Sequence, residues 1–214
     1  MWIRWRSLVF ALCCVQFAGA VAQTSQPDKA AAATILVVGD SLSAEYGLQR
    51  GSGWVALLEQ RLQTENKAYQ MQNSSISGDT SSGGVARLPE ALRRYQPAIV
   101  ILELGSNDAL RGLSLDMTQS NLSTMVGMAQ QAQARVLLVG MQIPPNYGRK
   151  YAEQFKQLFS QVTQQHGTGL VPFLLDGIAT DRNMFQSDGI HPNEQAQPVL
   201  VQNVWQQLEP LLEP

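Results

Sequence analysis

The chain has 214 residues, of which 44% are hydrophobic and 15% are charged, and its formal net charge is −2. This length suits a single globular domain, and the apolar fraction is large enough for a packed core. Because the chain has no excess of positive charge, its composition argues against a nucleic-acid-binding protein.

The first 22 residues have the pattern of an export signal. They begin with MWIRWR, which holds two arginines and no acid, and continue with the apolar run SLVFALCCVQFAGAVA. A basic start, an apolar stretch and an Ala-x-Ala ending predict a signal peptide that is cleaved after Ala22, or alternatively after Ala20. An uncleaved membrane anchor is a second alternative, although the apolar run is shorter than the roughly 20 residues that a membrane-spanning helix needs.

Both cysteines of the chain, Cys13 and Cys14, lie in this segment. A lipid anchor on one of them is a further alternative, but the residues that precede them, Leu12 and Cys13, do not suit that modification. Removal of the signal would leave no disulfide, no thiol nucleophile and no cysteine–zinc site. Residues 23–33 then predict a short tether, followed by one domain over 34–214.

Downstream of the tether, strand-like runs alternate with helical patterns. Short buried or alternating runs predict strands at 34–38, 68–75, 98–104, 135–141 and 170–174. Apolar residues at helical spacing predict helices around 54–62, 85–95, 114–132 and 151–162, and a last helix from Pro192 onward. This alternation predicts an α/β fold with a five-stranded parallel sheet and helices on both faces. Ligands bind at the carboxyl edge of such a sheet, so each loop after a strand is a candidate wall of one site.

Three of these loops hold residue types suited to acyl chemistry. After the first strand, VVGDSLSAEYG places Ser41 at a strand-to-helix turn, either as a nucleophile or as a helix N-cap. After the second, SSISGDTSSGG presents the backbone N–H of Gly78, unless the loop is merely flexible. After the third, ELGSNDALRG presents Asn107, whose amide either donates two N–H bonds to a ligand or closes an Asx-turn.

The loop after the fifth strand, FQSDGIHPNEQ, holds Asp188 three residues before His191. The carboxylate can accept a hydrogen bond from one imidazole nitrogen and leave the other nitrogen to act as a base. A serine nucleophile needs such a base, an orienting acid and donors for the oxyanion. The predicted catalytic residues are therefore Ser41, Asp188 and His191, with an oxyanion hole formed by the Ser41 and Gly78 N–H groups and the Asn107 amide.

The segments GDSLS, SGDTS, GSND and DGIHP resemble the four signature blocks of the SGNH (GDSL) hydrolase family. The likeness runs from about Thr34 to Leu212, and ARLPEAL, NDALRG, PPNYGRKY and DGIHPNEQAQP resemble its multifunctional thioesterase I/lysophospholipase L1 branch. The resemblance implies a three-layer α/β/α flavodoxin-like fold. It also implies that the four signature residues of the family are Ser41, Gly78, Asn107 and His191. One departure is Ser106, where that branch usually has glycine, and its hydroxymethyl group bears on selectivity.

Three other acids in these loops, Asp40, Asp79 and Asp108, are alternatives to Asp188 as the partner of the histidine. The family pattern implies that Asp40 orders the turn of the nucleophile. Asp79 and Asp108 flank the oxyanion donors, and we expect them to brace those loops.

The resemblance implies a serine acyl hydrolase that cleaves carboxylic esters and thioesters, with arylesterase, acyl-CoA thioesterase and lysophospholipase activity. The implied substrates are small molecules, namely medium or long acyl esters, thioesters and lysophospholipids, and no cofactor or metal is needed. We expect a monomer with no nucleic-acid partner and no stable membrane anchor after signal removal. The signal and the resemblance together predict a periplasmic location, with secretion as the alternative.

The loop after the fourth strand, MQIPPNYGRKY, faces the same edge of the predicted sheet. This loop is predicted to form an apolar wall that binds the acyl chain, built from Ile143, Pro144 and Tyr147 together with Leu110 of the neighbouring loop. The alternative is that the loop is an ordinary rigid turn.

Three other functions compete with this interpretation. A carbohydrate acetylesterase of the same superfamily would need a shallow aromatic cleft, yet only 7% of the residues are aromatic. A catalytically idle envelope binding protein would be expected to lack Ser41, Asn107 or His191, and none of them is lost. If the signal peptide is spurious, the same enzyme would be a cytoplasmic acyl-CoA thioesterase.

Overall fold

The structure is a computed structural model, and it describes residues 1–2 and 32–212. The predicted signal peptide beyond its first two residues, including both cysteines, lies outside the described residues, and so does the tether as far as residue 31. Ala33, predicted as the last residue of the tether, is instead the first residue of the first strand.

Five parallel strands form one sheet in the order β2-β1-β3-β4-β5. The strands are β1 (Ala33–Gly39), β2 (Tyr69–Asn73), β3 (Ile99–Glu103), β4 (Arg135–Val139) and β5 (Gly169–Val171). This is the flavodoxin-like order, in which chain progression reverses between β1 and β3 and opens a crevice at the carboxyl ends of those two strands. The predicted α/β class and flavodoxin-like sheet are confirmed, and each predicted strand is present with its ends shifted by at most three residues.

Six α-helices are described along residues 32–212. They are α1 (Trp54–Thr64), α2 (Ser81–Tyr95), α3 (Ser106–Leu110), α4 (Leu115–Gln131), α5 (Arg149–His166) and α6 (Gln197–Leu208). One face of the sheet is covered by α1 and α6, which pack on each other, and the other by α2, α4 and α5. Short 3₁₀ helices occur at Pro145–Tyr147, Arg182–Met184 and Glu209–Leu211. None of the described helices is long and apolar enough to cross a membrane.

The central strands form the core of the domain. All five residues of β3 are buried, as are Ile35 to Gly39 of β1, because helices cover both faces of the sheet. Two helix ends show the capping residues that define them. Ser114 caps α4 by accepting a hydrogen bond from the N–H of Met117, and Gly167 ends α5 in the left-handed conformation at φ 64°.

Two helices differ from the sequence-based expectation. The helix predicted around 85–95 begins four residues earlier, at Ser81, and continues through Pro89 to Tyr95 as predicted. The last helix begins at Gln197 and not at Pro192, because Pro192 forms an antiparallel bridge with Phe185. The short helix α3, directly after β3, was not predicted.

Replacing Gly140 by alanine is expected to lower the free energy of unfolding by about 1–3 kcal/mol. An added Cβ at this position would lie 2.6 Å from the Pro172 carbonyl oxygen and 2.9 Å from that of Val171. Neither backbone atom can move without disturbing the pairing of the chain at the ends of β4 and β5. Urea unfolding of the purified domain measures the effect.

Gly127→Ala is the matched control, because Gly127 lies within α4 and an added Cβ there meets no atom within 4 Å. This substitution is expected to stabilise the protein by about 0.5–1 kcal/mol through the higher helix propensity of alanine. Equal stability of the two variants would contradict the proposed steric conflict at Gly140.

Candidate active site

Ser41 lies directly beyond the carboxyl end of β1, at the crevice between β1 and β3. The residues that follow form a run of turns over 41–47, and the helix α1 begins only at Trp54. The carbonyl of Asp40 accepts hydrogen bonds from the N–H groups of Ser43 (3.3 Å) and Ala44 (3.0 Å), which closes the turn around Ser41. The expected strand-to-helix turn is therefore a strand-to-turn junction.

The side chains of Ser41, His191 and Asp188 form one hydrogen-bonded chain. The Ser41 Oγ lies 2.9 Å from the His191 Nε2, and the His191 Nδ1 lies 2.7 Å from the Asp188 Oδ2. With the imidazole proton on Nδ1, the carboxylate accepts that N–H and Nε2 is free to accept the serine hydroxyl. The structure thus brings together the three residues predicted as catalytic, although Ser41 and His191 are 150 positions apart.

Backbone pairing with an upstream segment fixes the position of His191. The Gln186 N–H donates to the His191 carbonyl at 2.8 Å, and the Asn193 N–H donates to the Met184 carbonyl at 2.9 Å. Pro192 forms an isolated antiparallel bridge with Phe185 between these two bonds. This extended pairing prevents the predicted helix from starting at Pro192, because these residues cannot adopt helical dihedrals at the same time.

The Asp188 carboxylate also accepts bonds from the backbone of its own turn. Its Oδ1 accepts the N–H groups of Ile190 (2.9 Å) and His191 (3.0 Å). Burial raises the pKa of Asp188, but these two backbone bonds and the imidazole outweigh it and lower the pKa to about 2. The carboxylate is therefore ionised at neutral pH and presents a full negative charge to the imidazole.

Three N–H donors lie at the same edge of the sheet. The backbone N–H groups of Ser41 and Gly78 make no hydrogen bond to any residue within 32–212, and Gly78 has a φ of +78° that favours glycine. The Asn107 amide donates one N–H to the Asp40 Oδ2 at 3.0 Å, which leaves the second N–H for a ligand. These are the three groups that the sequence predicts as the oxyanion hole.

The loop that carries Gly78 is held by two arginines. Arg111 donates to the Gly78 carbonyl at 2.8 Å. Arg87 pairs with Asp79 at 2.7 Å and also donates to the carbonyls of Gly39 (3.2 Å) and Ser74. Asp79 is therefore engaged in loop structure, as expected, and Arg87 joins the Gly78 loop to the end of β1.

The other two acids also have partners of their own. Asp108 is fully buried and accepts hydrogen bonds from the Ser81 N–H (2.8 Å), the Ser81 hydroxyl (2.5 Å) and the Thr118 hydroxyl (3.3 Å). Asp40 accepts the Leu42 N–H at 3.0 Å in addition to the Asn107 amide. Of the described carboxylates, Asp188 alone is hydrogen-bonded to the His191 imidazole.

The predicted acyl-binding residues are placed less uniformly. Ile143 is 8% exposed and belongs to the core, and Leu110 is half-buried against that core. Pro144 is exposed, and Tyr147 is 45% exposed within a 3₁₀ turn. Exposed apolar surface in this loop therefore comes from Pro144 and Tyr147 and not from Ile143. Ser106 is 7% exposed, and its hydroxyl has no hydrogen-bond partner among the described residues.

Two residues of this region were not predicted from the sequence. The Tyr46 ring centroid lies 4.5 Å from that of His191, five positions after the serine. Glu103, the last residue of β3, is fully buried and accepts hydrogen bonds from the Asp40 N–H and the Ser43 hydroxyl. The signal for Glu103 was visible in the sequence, because it is the one charged residue in the apolar run AIVILEL.

Comparisons with known proteins agree with this fold and arrangement. Residues 37–197 match the GDSL-like lipase/acylhydrolase family. The chain is 50% identical over 194 residues to esterase TesA of Pseudomonas aeruginosa, across 91% of this chain and 96% of that protein. It is 40% identical over 183 residues to thioesterase 1/protease 1/lysophospholipase L1 of Escherichia coli K12, across 86% of each.

A solved structure extends the similarity to three dimensions. A crystal structure of TesA aligns with a TM-score of 0.82 and 52% identity, and the alignment covers 83% of this chain and 99% of that one. Since the family match spans most of the chain and the relatives are similar over nearly their full length, the protein belongs to the GDSL-like lipase/acylhydrolase family.

Proposed function

We propose that this protein is an exported serine hydrolase that cleaves small-molecule carboxylic esters and thioesters through an acyl-enzyme on Ser41. The observation that carries the proposal is the 2.9 Å contact between the Ser41 Oγ and the His191 Nε2. A hydroxyl in hydrogen-bond contact with an oriented imidazole is the arrangement of an activated serine nucleophile.

In the first half-reaction, the Ser41 Oγ attacks the substrate carbonyl carbon while the His191 Nε2 accepts the hydroxyl proton. The carbonyl oxygen becomes the oxyanion of a tetrahedral intermediate, and its collapse breaks the bond to the alcohol or thiol. The imidazolium returns the proton to that leaving group. In the second half-reaction, water attacks the acyl-serine with the same base and releases the carboxylic acid.

The ionised Asp188 has two roles in this cycle. Its bond to Nδ1 keeps the imidazole in the tautomer whose Nε2 accepts a proton, and its negative charge stabilises the imidazolium that forms. Two backbone N–H groups hold the carboxylate in place at 2.9 and 3.0 Å, so the imidazole is oriented before substrate binds.

The oxyanion is stabilised by the Ser41 and Gly78 backbone N–H groups and by the second N–H of Asn107. Support for this role comes from the first N–H of that amide, which is already bonded to Asp40, since this bond fixes the plane of the amide. Preorganised donors stabilise the developing charge without reorganising during the reaction.

The substrates proposed are medium and long acyl esters, acyl thioesters and lysophospholipids. Support comes from the similarity to an esterase and a thioesterase/lysophospholipase, and from the exposed Pro144 and Tyr147 in the loop that follows β4. The basic and apolar N-terminal pattern supports export to the periplasm and release by signal cleavage, so the proposed mature protein has no membrane anchor. A monomer is proposed as its oligomeric state.

Ser41→Ala is expected to reduce hydrolysis of p-nitrophenyl esters by at least about 10⁴-fold, because it removes the nucleophile. The wild type is expected to be most active on mid-length or long acyl chains in a series from acetyl to palmitoyl. Release of p-nitrophenol measures both results, and covalent labelling by a phosphonate, detected by mass spectrometry on the Ser41 peptide, tests the nucleophile directly.

Ser52→Ala is the control for this experiment, since the Ser52 hydroxyl donates only to the Gln49 carbonyl at 2.7 Å. It is expected to keep wild-type activity. Activity restricted to acetyl esters would favour the carbohydrate acetylesterase, and a folded wild type inactive on every ester would indicate a binding protein.

Asn107→Ala is expected to lower kcat by about 10²–10³ with little change in KM, because the lost donor acts on the oxyanion rather than on the bound ester. Asn203→Ala serves as the comparison. The Asn203 amide donates to the carbonyls of Leu174 and Asp176, both at 2.9 Å, so its loss is expected to affect stability and not kcat. A KM effect as large as the kcat effect would contradict the role of Asn107.

Asp188→Asn is expected to lower kcat/KM by about 10⁴-fold at neutral pH, since the amide favours the wrong imidazole tautomer. It also changes the response of stability to acid. The pKa of Asp188 is about 2 in the folded protein, against 3.8 as its ordinary value, so the ionised carboxylate stabilises the fold above pH 3.8. That contribution is lost as the pH falls from 3.8 towards 2.

Urea unfolding between pH 2 and pH 6 measures this acid-dependent contribution, which is expected to be smaller in Asp188→Asn than in the wild type. Asp176→Asn is the control, because Asp176 is exposed and its carboxylate accepts no hydrogen bond from the described residues. An identical acid dependence in wild type and Asp188→Asn would show that the carboxylate is not held as proposed.

A further inference from the structure

Glu103 is a buried carboxyl group beneath the nucleophile, and the catalytic cycle above does not use it. It is the last residue of β3, it is fully buried, and it lies opposite Gly39 in the register of β1 and β3. A glutamate in an otherwise apolar central strand is costly to bury, so its retention needs a physical reason.

One oxygen of Glu103 holds the turn that carries Ser41. The Glu103 Oε2 accepts the Asp40 N–H at 3.2 Å and the Ser43 hydroxyl at 2.7 Å. These donors lie on either side of the nucleophile. Gly39 provides the necessary space, because a Cβ there would lie 2.8 Å from the Glu103 Oε2 and 2.7 Å from the Ser43 Oγ.

The second oxygen of Glu103 is in a different situation. The Glu103 Oε1 is buried and has no hydrogen-bond partner among the described residues. Oε2, with two donors directed at it, behaves as a carbonyl oxygen. A proton on this carboxyl group therefore resides on Oε1.

The nearest ionisable group is the Asp40 carboxyl, which is also fully buried. Its two oxygens accept one N–H each, from Leu42 and from the Asn107 amide. Two adjacent buried carboxyls do not both ionise, and the proton goes to the one with less support for its charge. Asp40 has a donor on each oxygen and Glu103 has one oxygen without any, so the proton belongs to Glu103.

The other charged groups around this pair are already engaged. Arg87, from α2, pairs with Asp79 and reaches only the Gly39 carbonyl on this side. Asp108, from α3, is bonded to Ser81 and Thr118. His191 acts on Asp40 by its charge when protonated. No described cation donates a hydrogen bond to Glu103.

The directions of the pKa shifts agree with this geometry. Burial, and then the charge of Asp40, raise the pKa of Glu103 well above its ordinary value. Burial raises the pKa of Asp40 to about 6, against the opposing effect of its hydrogen bonds and of His191. Once Asp40 is ionised, its negative charge therefore favours the protonated form of Glu103.

We propose that Glu103 is a positioning residue for the esterase reaction: as a neutral carboxylic acid it anchors the nucleophile turn through Oε2, and it leaves the single charge of the pair on Asp40. That charge orients the Asn107 amide, whose second N–H faces the oxyanion. This inference rests on the proposed function, because it assigns a role to the same site. If Asp40 carried the proton instead, one of its oxygens would no longer accept the N–H of Leu42 or of the Asn107 amide. The amide would then lose its fixed orientation.

Glu103→Gln tests the neutral state, because glutamine keeps the accepting oxygen and replaces the protonated oxygen by an NH₂ group. It is expected to retain kcat/KM for p-nitrophenyl esters within about threefold of wild type at pH 8. Infrared difference spectroscopy at pH 8 is expected to find the carbonyl band of a protonated carboxyl group in the wild type and its loss in this variant.

Glu59→Gln is the control for the infrared band, since the half-buried Glu59 accepts only the Met71 N–H, at 3.3 Å. The band is expected to persist in Glu59→Gln. Glu103→Leu removes the acceptor and leaves the Asp40 N–H and the Ser43 hydroxyl unpaired. Its kcat is expected to fall by about 10- to 100-fold with little change in KM.

Rescue by glutamine but not by leucine distinguishes positioning from simple core packing. Should Glu103→Leu fail to fold, the activity of Glu103→Gln and the infrared band still decide the question. The proposal is overturned if Glu103→Gln loses activity by more than about 30-fold, or if the band is absent from the wild type or persists in Glu103→Gln. These outcomes are separate from the proposed function, which would fail if Ser41→Ala kept wild-type hydrolysis.

Discussion

The parallel pairing of β1 with β3 determines where the nucleophile and the Asn107 amide of the candidate site can lie. Gly39 and Glu103 are opposite each other in this register, so the loops that carry Ser41 and Asn107 leave the sheet side by side. The sheet order reverses at this pair, and no connection crosses the crevice that results. Gly39 is also the point at which space is limiting, since Glu103 and Ser43 occupy the volume that any larger side chain would need.

Three carboxyl groups near this crevice have different protonation behaviour because their surroundings differ. Asp188 has backbone N–H donors and an imidazole partner, and its pKa is lowered to about 2. Asp40 and Glu103 are buried next to each other, and the pKa of each is raised. The first arrangement keeps a charge where the imidazolium forms, and the second limits the charge beneath the nucleophile to one. Burial raises the pKa of all three groups, and the hydrogen-bond donors outweigh that effect only at Asp188.

Much of the fold was predictable because local periodicity and burial agree along this chain. The apolar runs of β1 and β3 are covered on both faces, and so they contain almost no polar residue. The prediction was wrong at Pro192, where periodicity favoured a helix and long-range backbone pairing with Phe185 prevailed. Ile143 was predicted as an acyl-binding surface, but its side chain is in the core, because sequence alone does not show which face of an irregular loop is turned inward.

The sequence by itself determined the fold class, the candidate nucleophile, base and acid, and the oxyanion donors, because each follows a strand and their residue types are those that acyl transfer requires. Only the tertiary structure decided the partners of these groups. The 2.9 Å contact of Ser41 with His191 joins residues 150 positions apart, and the bond between Asn107 and Asp40 spans 67. The roles of Glu103, Tyr46 and Arg87 also appear only in three dimensions. A hydrogen bond depends on distances of a few tenths of an ångström, and periodicity along a chain carries no such information.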